Sequence, residues 1–297
     1  MNGQFEVVII SGKGGTGKTT LTSSLAELIP DKVICDADVD AADMFLILKP
    51  ELIKENPFKG KSIAIINQDK CVSCGICEKV CRFNAVDAEE TDEKIKYTVN
   101  PYSCDGCTFC ALACPAKAIN MEQQTVGDWF ISKTEAGTLI HAKLKPGAEN
   151  SGNLVTMVKH QAHLKAKEEG LNFILVDGPP GIGCPVTSAI SGASLAIIVT
   201  EPTFSGIHDL ERVYDLSLHF KVPAAVVINK YDLNRENTLH IESYAKEKGI
   251  KIIGKIPFSP CVVDSIAEAK TPMTKCPEIA KTINNIYKEI SVFRKRL

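Results

Sequence analysis

Two sets of residues in this chain have types and spacing that can do chemistry. The first is Gly12-Lys13-Gly14-Gly15-Thr16-Gly17-Lys18-Thr19-Thr20, which satisfies the phosphate-loop pattern G-x-x-x-x-G-K-[ST]. Its glycines let backbone N–H groups surround the β- and γ-phosphates of a nucleoside triphosphate. Lys18 neutralises phosphate charge, and the Thr19 hydroxyl is a ligand for Mg²⁺. The second set is Cys71-x₂-Cys74-x₂-Cys77-x₃-Cys81, followed by Cys104-x₂-Cys107-x₂-Cys110-x₃-Cys114-Pro115. Three thiolates two residues apart can wrap three irons of one [4Fe-4S] cube, with a fourth ligand supplied from elsewhere. Zinc is the competing metal for Cys-x₂-Cys pairs, and two complete four-cysteine runs favour iron and sulfide.

The doubled cysteine run resembles that of the bacterial two-cluster ferredoxins, in which the fourth cysteine of each run ligates the other cluster. The resemblance implies one cluster on Cys71, Cys74, Cys77 and Cys114 and a second on Cys104, Cys107, Cys110 and Cys81. Gly75 and Gly106 relieve crowding where the backbone turns, and Arg82 stands where proline is usual. The loop Gly12-Lys13-Gly14-Gly15 resembles the deviant phosphate-loop class that includes MinD, ParA, the Mrp-type proteins and, more distantly, the nitrogenase iron protein. In that family the extra lysine reaches across a nucleotide-sandwich dimer, the role the resemblance implies for Lys13.

Carboxylates complete this set. Residues 32–35 read as a short strand running into Asp36-Ala37-Asp38-Val39-Asp40-Ala41-Ala42-Asp43, and acids at a strand's C-terminal end are placed to hold Mg²⁺ and a hydrolytic water. The stretch resembles the family's first switch, which implies Mg²⁺ through water for Asp36 and the attacking water for Asp38, with Asp40 as the rival for the second role. Asp177 closes the apolar run 173–177 in the manner of a Walker B acid on the Mg²⁺ hydration shell. Residues 178–183 resemble the Mrp-type second switch. Cys184, seven residues after Asp177, stands where the nitrogenase iron protein places a ligand of its subunit-bridging cluster. The second cysteine that such a cluster requires is missing from residues 129–153, which leaves a small buried hydrophobe as the other reading of Cys184. Asn229-Lys230-Tyr231-Asp232 is formally the guanine motif N-K-x-D. In the MinD/Mrp family an asparagine here contacts adenine, so Asn229 and Lys230 are base-site candidates and ATP is the expected nucleotide. Residues 256–261 supply the other wall.

The elements that must position these residues are legible in the pattern. Residues 5–10 form an apolar strand and residues 19–28 a helix with Leu21, Leu25 and Leu28 on one face. Further strands at 173–177, 194–199, 224–228 and 250–254 alternate with helical segments, which gives a mostly parallel α/β sheet. Into it is inserted a small α+β ferredoxin-like domain. The expected boundaries are 1–60 and 123–297 for the nucleotide domain and 61–122 for the insertion, whose first and last strands (61–67 and 118–122) pair. Pro50, Pro57 and Gly60 punctuate the way in. Residues 129–145 read as a hairpin, 146–153 as a polar loop, and 155–170 as a helix whose His160, His163, Lys159 and Lys165 form a solvated face. The last helix carries Ile279, Ile283, Ile286, Ile290 and Phe293 at core spacing and docks, although Arg294-Lys295-Arg296 is weakly similar to a membrane-binding tail.

A chain of 297 residues with 44% hydrophobic and 24% charged residues suits a large α/β domain with a small one. The net charge of -2 and the lack of a basic block argue against nucleic acid, and no apolar run reaches the roughly 20 residues that span a bilayer. The cytoplasm is the expected location. Clustered cysteines in a reducing compartment point to metal, while Cys35, Cys261 and Cys276 read as core or surface thiols without partners. The whole reads as an ATPase stimulated by a partner, acting as a homodimer or with a related chain, and carrying ATP, Mg²⁺ and two [4Fe-4S] clusters. Three functions fit. ATP-gated electron transfer to an acceptor in cofactor or iron-sulfur maturation is favoured by eight ferredoxin-type ligands. An iron-sulfur carrier is the second, and a MinD-like positioning ATPase with a redox-sensing insertion is the third.

Overall fold

Strand Phe5–Ser11 is buried along its whole length, which a strand achieves only when both faces of its sheet are covered. The molecule, a computed structural model, describes residues 3–92, 94–148 and 151–296. Glu149 and Asn150 of the polar loop, the extreme termini and the side chain of Arg296 in the basic tail lie outside the described residues.

In chain order the elements are β1 (Phe5–Ser11), α1 (Lys18–Leu28), β2 (Val33–Asp36), α2 (Met44–Leu48), β3 (Glu51–Ile66), α3 (Ile76–Lys79) and β4 (Val86–Glu90). Then come β5 (Ile95–Val99), α4 (Phe109–Ala113), β6 (Ile119–Thr134), β7 (Gly137–Leu144), α5 (Ser151–Glu168), β8 (Phe173–Pro180) and α6 (Cys184–Ile190). The chain closes with β9 (Leu195–Thr200), α7 (Phe204–His219), β10 (Ala224–Asn229), α8 (Arg235–Lys248), β11 (Lys251–Ile256), α9 (Pro260–Ala267) and α10 (Pro277–Arg296).

The chain divides into two compact units, one of Met1–Asn56, Trp129–Lys143 and Ser151–Leu297, the other of Pro57–Asp128 and Leu144–Asn150. In the first, the strand order is β11-β10-β9-β1-β8-β2-β7, continued by that unit's portions of β6 and β3. Each neighbouring pair from β11 to β7 is parallel. This is the α/β architecture expected from alternating strands and helices. Its central strand β1 ends at the phosphate loop, and β8, which runs past Asp177 to Pro180 and not only to the acid as expected, brings Asp177 toward the same edge of the sheet. Ile279, Ile283, Ile286 and Ile290 of α10 are all buried against the same core as Leu21 and Leu25 of α1, which docks the last helix.

Several expectations need correction. Strands β3 and β6 run for 16 residues each, far longer than 61–67 and 118–122. Pro57 does not break β3, because β3 lies at the sheet's end and an edge strand tolerates a missing N–H. The face of α5 is not uniformly solvated either. Lys159 is buried and pairs with the buried Glu6 of β1 at 2.9 Å, while His163 Nε2 meets the other Glu6 oxygen at 2.6 Å. The Lys159 ammonium also donates to the carbonyls of Ala189 and Ser191 at 2.6 and 2.8 Å, satisfying the end of α6. Only His160 of that group is exposed.

Candidate functional site

The phosphate loop leaves β1 and enters α1 through Gly17, whose φ of +91° is left-handed and whose absent Cβ would stand 2.5 Å from Asn229 Nδ2. The left-handed φ favours glycine, and a side chain there would also have to displace the Asn229 amide. Lys18 is 5% exposed. Both Asp177 oxygens are held by α1: Thr19 Oγ1 donates to Oδ2 and Thr22 Oγ1 to Oδ1, each at 2.7 Å. The second-switch segment is tied to the loop where the Gly181 N–H donates to the Ser11 carbonyl at 2.8 Å.

Asp36 lies beside this pair, its oxygens accepting from the N–H groups of Asp38 and Met44 at 3.2 and 3.3 Å. Burial, then the charges of Asp177 and Asp38, push its pKa well above the carboxylate range. Burial likewise raises Asp177, against the hydrogen bonds from Thr19 and Thr22 and the charge of Lys18. Burial lifts Asp38 to about 6, opposed by Lys18. Asp38 is buried and Asp40 exposed. Asp38 and Asp177 feel the charge of Lys18, and Asp36 feels the charges of both acids, an arrangement that a divalent cation would relieve.

Lys13 is turned toward its own chain. Its Nζ lies 3.7 Å from Glu201 Oε2 and donates to Thr203 Oγ1 at 3.3 Å and Ser205 Oγ at 3.4 Å. The other oxygen of Glu201 pairs with Lys230 at 2.5 Å. Glu201, Thr203 and Thr22 are site residues that sequence reasoning missed. Glu201 follows the C-terminal end of β9, a position at which the open-sheet rule could have flagged it.

Beyond the loop lies a cavity of about 840 Å³, lined by Gly15, Thr20, Asn229, Pro257, Phe258 and side chains of α9 and α10. Asn229 Nδ2 donates to the Thr16 carbonyl at 2.8 Å, bolting this wall to the phosphate loop. Asp232 does not line the cavity; its Oδ1 accepts from the Phe258 N–H at 2.7 Å. Cys261 and Cys276 are not the separate thiols expected, because they form a disulfide between α9 and the residue preceding α10. The fold brings together two cysteines whose spacing resembles no motif.

In the second unit the eight remaining clustered cysteines surround two cavities. One, of about 330 Å³, is lined by Cys71, Cys74, Cys77 and Cys114. The other, of about 380 Å³, is lined by Cys81, Cys104, Cys107 and Cys110. Among the described residues no three His, Cys, Asp or Glu side chains converge on a point suited to a single ion. Four thiols around an enclosed space match what a cube of iron and sulfide requires, so these donors fit such a group.

A backbone repeat builds both cavities. Left-handed φ values occur at Ser73, Gly75 and Asn84, and again 33 positions later at Gly106, Thr108 and Lys117. The counterpart of Gly106 is therefore Ser73, not Gly75. At Gly106 a Cβ would meet the Ser62 carbonyl at 2.3 Å, so glycine is required there. The Ala85 N–H points to Cys81 Sγ at 3.4 Å and the Ala118 N–H to Cys114 Sγ at 3.3 Å. Two reciprocal bonds, Asn67 N–H to the Ala118 carbonyl and Asn100 N–H to the Ala85 carbonyl, both at 2.8 Å, lace the halves together. Burial raises the thiol pKa of the equivalent pair Cys77 and Cys110.

Cys184 is exposed at the first position of α6, not buried as a small hydrophobe would be, and stands against Gly152.

A family model described as the CobQ/CobB/MinD/ParA nucleotide binding domain matches residues 7–273. An uncharacterized protein of Methanocaldococcus jannaschii is 31% identical over 295 residues, 97% of each chain. The iron-sulfur cluster carrier protein of Pyrococcus abyssi is 24% identical over 97% of this chain and 88% of its own. The septum site-determining protein MinD of Pyrococcus horikoshii, solved with Mg-ADP, aligns over 96% of this chain and 95% of its own with a TM-score of 0.56 and 18% identity, a likeness of fold.

Proposed function

Because this chain belongs to the CobQ/CobB/MinD/ParA family of nucleotide-binding domains, we propose that it binds and hydrolyses ATP and couples nucleotide-driven dimer closure to electron transfer from two [4Fe-4S] clusters to a partner protein. The maturation of a metal cofactor or iron-sulfur protein is the context this reading favours. The observation that carries it is the pair of four-cysteine cavities, each completed by the last cysteine of the other run. Clusters held there by Cys71, Cys74, Cys77 and Cys114, and by Cys104, Cys107, Cys110 and Cys81, would supply one-electron storage and transfer.

On the nucleotide side, Lys18 and the loop N–H groups hold the phosphates, and Thr19, Asp36 and Asp177 hold Mg²⁺ and its water. Asp38, buried near Lys18, is favoured over the exposed Asp40 to orient the attacking water. Engagement of Asp232 by the Phe258 N–H removes the acid that a guanine-reading N-K-x-D motif needs, which supports adenine. Lys13, held loosely by Glu201 and two hydroxyls, is free to change partners when a second subunit brings its phosphates near. The buried apolar face of α10 is committed to the core, which weighs against a membrane-binding tail.

A second reading, an iron-sulfur carrier, is favoured by the exposed Cys184 and by the carrier named among the relatives. One measurement separates them: iron, sulfide and the EPR spectrum of anaerobically purified protein and of Cys184→Ala, with and without MgATP. About eight irons in both, with reducible signals that shift on ATP, support electron transfer. Additional iron in the ATP-bound dimer that Cys184→Ala loses moves the carrier to first place. Absence of iron from the purified wild type defeats both.

A further inference from the structure

We propose that Cys261 and Cys276 are a thiol–disulfide exchange site through which a dithiol reductant sets the affinity of the neighbouring cavity for adenine nucleotide. Of twelve cysteines, these two alone are joined, and the other ten are free. Their bond joins positions 15 apart, and the segment it closes contributes one wall of the cavity. Val262, Val263 and Ile266 of α9 line that space from one side of the bond, and Ile279 and Ile283 of α10 line it from the other. The Cα atoms of the two cysteines stand 6.0 Å apart, so the bond sets the separation of the two helices where they meet the ligand.

The pair is built asymmetrically. Cys276 is 4% exposed, whereas Cys261 is half-buried, so an incoming thiolate reaches Cys261 first. Attack on Cys261 Sγ forms a mixed disulfide and breaks the Sγ–Sγ bond, and Cys276 leaves as a thiolate that then takes a proton. The Ser265 hydroxyl donates to the Cys261 carbonyl at 2.8 Å and lies 3.6 Å from Cys276 Sγ, so a rotation of its O–H would let it donate to that leaving sulfur. The reductant's second thiolate then displaces Cys261. The reductant becomes a disulfide, and two electrons and two protons reach the pair. Reduction unties α9 from the start of α10, so the nucleotide must order a wall that the oxidised protein holds in place, and affinity falls.

The inference rests on the adenine-nucleotide reading of this cavity. The test uses anaerobic holoprotein titrated with a fluorescent ADP analogue and Mg²⁺, as isolated, after dithiothreitol, and after reoxidation with oxidised dithiothreitol. Alkylation and peptide mass identify the state of each cysteine. Binding about three- to tenfold weaker in the dithiol form, restored on reoxidation, is expected. The Cys261→Ala/Cys276→Ala variant should bind like the dithiol form and ignore dithiothreitol, which excludes effects at the other cysteines. Equal affinity of the two wild-type forms overturns the inference, as does alkylation of Cys261 and Cys276 without reductant. Binding by neither form defeats the nucleotide reading as well. The wild-type comparison stands even if the variant does not fold.

Discussion

Asp36 and Asp177 are register partners on the adjacent strands β2 and β8, and both carboxylates are buried. Two desolvated acids side by side cost stability until a cation joins them. Asp36→Asn should therefore raise metal-free stability by about 1 kcal/mol while weakening Mg²⁺-dependent nucleotide binding about 10- to 100-fold. Chemical denaturation in chelator, paired with nucleotide titration, checks both. A variant that loses stability and keeps its Mg²⁺ dependence would remove Asp36 from the site.

Among the described residues, the Lys13 ammonium meets two hydroxyls and Glu201 of its own chain. If its task is performed on a second subunit's phosphates, Lys13→Ala should bind ATP within about threefold of wild type and hydrolyse it about a thousand-fold more slowly. Parallel binding and steady-state assays test this, and a loss confined to binding would contradict it.

Cys114 lines the cavity of Cys71, Cys74 and Cys77, although it belongs to the other run. Cys114→Ala should lower iron from about eight to about four per chain and leave one EPR signal. Retention of both signals would refute the crossed ligand set.

Burial lowers the His141 pKa to about 4, beneath an ordinary 6.5; its Nε2 lies 2.9 Å from the buried Ser132 Oγ. The unfolded chain thus binds more protons between those values. The stabilising contribution of neutral His141 is fully present above pH 6.5 and is lost progressively as pH falls toward 4. Denaturation midpoints at pH 7.5, 6 and 5 should decline less in His141→Gln than in wild type. Parallel declines would show that another group controls that range.

Lys159→Met should destabilise the protein by about 3–5 kcal/mol, because it takes the ammonium from buried Glu6 Oε1, leaves His163 as the partner of Oε2, and frees the carbonyls at the end of α6. A loss under about 1 kcal/mol in urea titration would mean that water reaches Glu6.

What the sequence revealed and what it concealed divide along contact range. The phosphate loop, its strand and its helix are local, so spacing alone places Lys18 and Thr19. The apolar run ending in Asp177 likewise announces a buried strand. The cysteine runs carry their own periodicity, and the fold brings the two runs to shared cavities. Glu201 meets Lys13 from the end of the neighbouring strand β9, Cys261 finds Cys276 through helix packing, and Lys159 reads as a surface residue until Glu6 is seen beneath it. Those pairings are tertiary, and although the strand-end position could flag Glu201, no local pattern joins any of these residues to its partner. Pro57 misled for a similar reason, since its tolerance depends on β3 being an edge.

The 33-residue backbone repeat of the second unit has an evolutionary consequence. Such a repeat is what duplication of one short ancestral segment leaves behind. Once each copy lent its final cysteine to the other's cavity, the copies became interlocked: neither could drift, shrink or be exchanged without opening both cavities. Inheritance would then act on the doubled segment as one indivisible character.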